Sequence, residues 1–221
     1  MEEIKKLSNI KAFVFDLDGT LIDTEKIYRQ VWPKAAADLG YVFTDEMYLK
    51  LRSMGRPFVL DQFREWFDEN FDYQEARRIR KGYFDEYIAK HPIERKKGAI
   101  ELLTYLRDHG IVTAIATATD PARAHEYLKS TGLEGYFDKV LSATMVDEGK
   151  PSPKVYLYAA SELGFKPEEC VAVEDAPNGV LSANRAGFTV IMVPDQSEPD
   201  DELMEIIDIK ADSLDEIINY L

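Results

Sequence analysis

Five polar residues fall where short apolar runs end. Asp16 and Asp18 follow Ala12-Phe13-Val14-Phe15, Thr117 closes the run from Val112 to Ala116, and Glu174-Asp175 follow Val171-Ala172-Val173. A sixth, Lys150, lies in the loop after the run that ends at Ser142. In an open α/β sheet, ligands bind outside the carboxyl ends of the strands. The pattern therefore predicts carboxylates, a hydroxyl and an ammonium group gathered at one sheet edge. Gly19, in Asp16-Leu17-Asp18-Gly19-Thr20, allows a sharp turn whose N–H groups can face one concavity and hold an anion. Carboxylates so placed can attack an electrophile, move protons, or ligate a hard cation. Singly, each residue has a plainer reading. Asp16 or Asp18 could cap a turn, Thr117 could start a helix, Lys150 could be solvated, and Glu174-Asp175 could be a cap pair. Those readings leave the shared edge unexplained.

The elements that must position these groups follow from the pattern. The apolar runs are short, β-branched and not strictly alternating, which suits strands buried on both faces of a parallel sheet. Val190 to Val193 and a weak Ile209-Lys210-Ala211 extend the series. Helical stretches lie between them, at 100–108, 122–131, 154–163, 180–186 and 214–221. Alternation of strand and helix gives an α/β class with a Rossmann-like parallel sheet. One interval breaks the rhythm. Asp18 and Val112 are 94 positions apart, whereas a crossover needs only about a dozen residues. Residues 25–39, 45–54, 58–71 and 74–91 read as helices, and their aromatic residues, including Trp32 and Trp66, read as the core of a small bundle. The expected organisation is an α/β core from residues 1–22 and 96–221, with an all-helical second domain, residues 23–95, inserted after the first strand.

Composition narrows the partners. A net charge of −14 argues against nucleic-acid and membrane-surface binding, which both need a basic footprint. Any phosphate site must then be made positive locally. There is no apolar run of about 18 residues, so no membrane span is expected. The N-terminal segment lacks the features of a signal peptide. The lone Cys170 allows no intrachain disulfide and fits a reducing, cytoplasmic compartment; a monomer is also expected. Cys170 reads as a buried hydrophobe, and His91, His109 and His125 share no metal-ligand spacing.

The segment FDLDGTLID, Phe15 to Asp23, resembles the first motif of the haloacid dehalogenase-like superfamily. Thr117 in IATAT matches its second motif, Lys150 in GKPSPKVY its third, and Glu174-Asp175 in VAVEDAPNGV its fourth. The long insertion is similar to the helical cap of the branch that includes β-phosphoglucomutase, phosphoglycolate phosphatase and phosphonoacetaldehyde hydrolase. The resemblance implies Asp16 as the nucleophile that forms an aspartyl-phosphate and Asp18 as the general acid and base. It implies Mg²⁺ held by Asp16, Asp175 and the Asp18 backbone carbonyl, with Glu174 binding the metal or orienting its water. Lys150, Thr117 and the neighbouring N–H of Ala118 would bind the phosphoryl oxygens. Two carboxylates and a phosphoryl group repel one another, so a cation is required in any case.

The resemblance also bears on substrate. Arg56 matches the cap arginine with which the mutase holds the distal phosphate, and Arg52 is a lesser candidate. Two departures count against the mutase. Tyr28 stands where the mutase has a histidine, and Ile79, between Arg78 and Arg80, stands where it has a lysine. Asp18 argues against dehalogenation, whose enzymes lack the second aspartate. A Schiff-base lysine for phosphonoacetaldehyde would have to be Lys26 or Lys50. The expectation is a Mg²⁺-dependent phosphatase acting on a small phosphorylated metabolite, such as a sugar phosphate, with a β-phosphoglucomutase-type mutase as the alternative.

Overall fold

The computed structural model describes residues 7–221; residues 1–6 of the expected core segment lie outside the described residues. Six strands form one sheet: β1 (Ala12–Phe15), β2 (Val112–Thr117), β3 (Lys139–Ser142), β4 (Cys170–Glu174), β5 (Thr189–Met192) and β6 (Ile209–Lys210). All pairings are parallel, in the order β3-β2-β1-β4-β5-β6. This is the α/β class that the alternating pattern predicts. The strands put bulk on one face and small residues on the other. Phe13, Phe15, Ile115, Val171, Val173 and Ile191 face one core cluster. Ala12, Val14, Ala114, Ala116, Ala172 and Val190 face the other.

Helices cover both faces. Leu102 and Leu106 of α5 (Ala99–Asp108), Leu128 of α6 (Pro121–Thr131) and Leu214 of the segment Leu214–Tyr220 join the bulky face. Val155 and Tyr156 of α7 (Lys154–Leu163), with Val180 and Ala183 of α8 (Pro177–Ala186), cover the small-residue face. The small side chains of that face let α7 approach closely. Two details differ from the sequence reading. Leu214–Tyr220 is 3₁₀ rather than α-helical, and a one-turn helix, α9 (Asp201–Met204), follows β5. Its four residues are too few to show a period.

Between β1 and α5 the chain makes α1 (Glu25–Asp38), α2 (Asp45–Leu51), α3 (Phe58–Trp66) and α4 (Tyr73–Lys90). Here α1 packs along α4. Trp32 stacks on Phe43 with ring centroids 5.6 Å apart and leans on Phe63 at 5.2 Å. Trp66 meets Phe43 edge-on at 5.9 Å. Each such ring, once buried, contributes on the order of 2 kcal/mol. The chain leaves and re-enters the sheet region at neighbouring points. Asp23 N–H donates to the Glu94 carbonyl at 2.9 Å, and Lys96 N–H donates to the Leu21 carbonyl at 2.9 Å. The Lys26 ammonium bridges Asp23 (2.5 Å) and Glu94 (2.7 Å) across this joint.

Candidate active site

Strand register assembles the floor of the site. Phe15 pairs with Val173 on one side and with Ile115 on the other. The residue that follows β1, Asp16, is therefore level with Glu174 of β4, and its N–H donates to the Val173 carbonyl at 2.9 Å. Asp16, Glu174 and Asp175 are buried, and one carboxylate oxygen from each lies within 4.8 Å of the others. The fully buried Lys150 ammonium sits between two of them, 2.5 Å from Asp16 Oδ1 and 2.6 Å from Glu174 Oε1. Burial weakens its hold on the proton; the Asp16 and Glu174 carboxylates outweigh that and hold the lysine charged. Tyr156 of α7 donates to the same Glu174 oxygen at 2.5 Å.

Two glycines make room for these carboxylates. A Cβ on Gly179, at the start of α8, would lie 2.0 Å from Glu174 Oε2. Gly19 has φ +86°, and a Cβ there would lie 2.5 Å from Asp175 Oδ2. The turn after Asp18 thus needs glycine for both conformation and space.

Asp18 is clamped by hydroxyls on both sides. Thr24 donates to Oδ1 at 2.6 Å, and Thr119 donates to Oδ2 at 2.6 Å. Thr117 ends β2 and its hydroxyl accepts from Thr119 N–H at 3.0 Å. Asp120, not Thr117, caps the following helix, accepting from Ala122 N–H at 3.0 Å. Asp16, Asp18, Thr117 and Ala118 line one side of a cavity of about 160 Å³, and the inserted helices close the other side.

Arg56 is not brought to this cavity. It is exposed, its guanidinium 3.5 Å from Gln74 Oε1, and its carbonyl is tied to Gly149 N–H at 2.7 Å. Arg52 stands in the cavity instead, with Nη1 3.5 Å from Asp175 Oδ2 and Nη2 donating to Ser197. The side chain of Arg52 is 1% exposed. Neither Lys26 nor Lys50 is among the cavity's lining residues; Lys26 serves the joint, and Lys50 lies 6.0 Å from the Trp66 ring centre. Tyr28 does line the cavity, stacked on Phe84 at 4.5 Å and hydrogen-bonded to Tyr127 at 3.1 Å.

The sequence reading missed several residues of the site. Glu25 is buried against Gly19, accepts a hydrogen bond from Tyr48 and lines the cavity. Burial chiefly pushes its carboxyl up to about 7, and the Asp18 charge adds to this. Its signal was position, directly after Thr24 and seven residues past Asp18. Thr119 was also legible, because residues i and i+2 of an extended chain share a face.

The donor set fits a hard divalent cation. It is all oxygen and buried. Glu174 Oε2 has no hydrogen-bond partner among the described residues. Burial pushes the Asp16 and Asp175 carboxyls well above the ordinary range, so added positive charge there would favour their ionised forms.

Several known proteins are similar to this chain in sequence or in fold. The chain is 34% identical to hexitol phosphatase A of Escherichia coli, over 94% of this chain and 93% of that one. It is 31% identical to the phosphorylated carbohydrates phosphatase of Thermotoga maritima, over 81% and 82% of the two. The fold superposes on β-phosphoglucomutase from Clostridium difficile with a TM-score of 0.79 at 25% identity, covering 94% and 93% of the chains. The pattern that describes haloacid dehalogenase-like hydrolases matches residues 10–187, a span that holds all of the carboxylates, hydroxyls and the lysine described above. The chain therefore belongs to the haloacid dehalogenase-like hydrolase family.

Proposed function

We propose that the protein is a Mg²⁺-dependent phosphatase of a small phosphorylated metabolite, of the sugar phosphate class, working through an aspartyl-phosphate. The observation that carries this is the buried Asp16–Lys150–Glu174 arrangement beside the doubly clamped Asp18. Relatives named for phosphatase action on hexitol and carbohydrate phosphates support the substrate class. In this reading the insertion, residues 23–95, is a cap domain over the core.

The Asp16 carboxylate attacks phosphorus and the ester P–O bond breaks. Asp18 gives its proton to the leaving alkoxide. Water then attacks the aspartyl-phosphate, Asp18 takes a proton from it, the bond to Asp16 breaks and inorganic phosphate leaves. Asp16, Asp175 and the Asp18 carbonyl would hold Mg²⁺, with Glu174 alongside, and the ion would offset the charge of the phosphoryl group. Lys150, the Thr117 hydroxyl and the Ala118 N–H would stabilise the phosphoryl oxygens, as is usual in phosphoryl transfer. Thr24 and Thr119 orient Asp18 for both proton steps.

The mutase alternative is not favoured. At Tyr28 a phenol replaces the histidine, and burial first, then the Asp18 charge, holds that phenol above its ordinary range. A neutral tyrosine cannot carry the charge by which a histidine could respond to bound sugar. The test is turnover of p-nitrophenyl phosphate, with acid-quenched mass spectrometry to locate the phosphoryl group. Hydrolysis abolished by EDTA, restored by Mg²⁺, and a phosphorylated Asp16 peptide are expected. EDTA-insensitive turnover, or a phosphoryl group elsewhere, would overturn the reading.

A further inference from the structure

Arg77 and Arg80 lie one turn apart on α4 and both face the cavity. Neither has a carboxylate partner among the described residues. The contrast with their neighbours is direct. Arg78, between them, points outward and pairs with Glu75 at 2.6 Å. Arg123 of α6, which also lines the cavity, pairs with Asp85 at 2.7 Å. In a chain with 41 acidic residues, two neighbouring half-buried arginines without a counter-ion are anomalous. Desolvation and like charge both oppose such a pair. For Arg77 the consequence is direct: burial first, then the charges of Arg80 and Arg56, lower its affinity for its proton.

The surroundings hold the guanidinium groups in place without neutralising them. Arg80 lies over two rings, its Cζ 4.8 Å from the Tyr28 centre and 4.6 Å from the Trp32 centre. Arg77 lies 5.9 Å from the Tyr73 centre. Ring faces attract a guanidinium and fix its plane, yet leave its N–H edge free to donate. Arg80 Nε is buried and has no hydrogen-bond partner. Asp16 and Asp18, which take the phosphoryl end in the proposed reading, line the same cavity.

We propose that Arg77 and Arg80 form a binding site for a second anionic group. The substrate is then a phosphate monoester whose far end carries a carboxylate or another phosphate. The anion supplies the missing counter-charge, and the guanidinium edges bind it through paired N–H donors. This inference rests on the phosphatase reading only for which end of the substrate enters Asp16. A neutral polyol end would leave both arginines uncompensated, so the site discriminates against it.

Three probes on one carbon chain test this: sorbitol 6-phosphate, 6-phosphogluconate and sorbitol 1,6-bisphosphate. They present a hydroxymethyl group, a carboxylate and a phosphate at the same position. Calorimetry with the Asp16→Asn protein and Mg²⁺ reads binding without turnover. At least one of the two anionic-ended probes should bind ten-fold or more tightly than sorbitol 6-phosphate, and comparison of the two identifies the group preferred. Arg77→Gln and Arg80→Gln, each placed on the Asp16→Asn background, should cut that preference at least five-fold. Raised salt should weaken the preferred probe more than sorbitol 6-phosphate. Equal affinities for the three probes, or a preference that survives both substitutions, would overturn the proposal. Wild-type turnover of the same probes is scored separately: its absence would count against the phosphatase reading and leave the binding comparison intact.

Discussion

Asp16 is held by one lysine and flanked by two other carboxylates, and this makes single substitutions at the site informative. Asp16→Asn keeps shape and hydrogen bonding while removing the proposed nucleophile and one negative charge. Its kcat should fall at least about 10³-fold, with thermal stability kept or raised, because burial of that charge opposes folding. Gly179→Ala tests the glycine–glutamate contact. The added methyl collides with Glu174, so it should cost on the order of 1–3 kcal/mol of stability and displace Glu174 from Lys150. Urea unfolding measures the first effect, and loss of activity out of proportion to stability would show the second. Glu25 gives a pH prediction. Its folded carboxyl titrates near 7 against 4.5 for an ordinary glutamate, so between those values the folded state holds the extra proton. Its contribution is fully present below about pH 4.5 and is lost as pH rises through about 7, a difference of about 3 kcal/mol. The metal-free protein should therefore lose Tm from pH 5 to 7.5, and Glu25→Gln should flatten that slope. An equal slope in the variant would remove Glu25 as its source.

Among the elements, α4 and α6 are joined by Asp85 and Arg123 at 2.7 Å, and Arg123 Nε also donates to Tyr127 at 2.5 Å. Asp85 is 41% exposed, so this pair should contribute modestly. A double-mutant cycle of Asp85→Asn and Arg123→Gln should give a coupling of about 0.5–1 kcal/mol that weakens with salt. Additive effects would mean that the pair does not tie the elements together. Element identity was largely legible because most strands are compact apolar runs and three of the four inserted helices carry aromatic residues at helical spacing. Leu214–Tyr220 has the apolar spacing of a helix, and its 3₁₀ winding is not visible in that spacing. The choice between Arg52 and Arg56 was not legible either. Both follow α2 in an irregular stretch, and which one turns inward depends on the main-chain bonds that tie Gly55 to Lys150 (2.8 Å) and Arg56 to Gly149 (2.7 Å). Glu25 was hidden for a different reason: an acidic residue in the first turn of a helix reads as a surface group favoured by the helix dipole. Its burial comes from the close approach of Gly19.

At the scale of the molecule, no helix among the described residues is long and apolar enough to cross a membrane. The acidic site and the basic α4 face meet only because insertion and sheet enclose one cavity. With Tyr28 in that cavity, water should be the acceptor of the phosphoryl group. Given β-glucose 1-phosphate and a trace of the 1,6-bisphosphate, the enzyme should release inorganic phosphate at least as fast as it forms glucose 6-phosphate. Faster formation of glucose 6-phosphate would restore the mutase.

The joint between Asp23 and Glu94 carries a further consequence. The chain departs and returns at points one hydrogen bond apart, so to the sheet the whole excursion amounts to a short gap. Strand register would be unaffected by what is spliced into that gap, whatever its length. What lies beyond Thr24 and Glu25, which reach the site themselves, would then be exchangeable as a cassette while the strands that carry the carboxylates stay fixed.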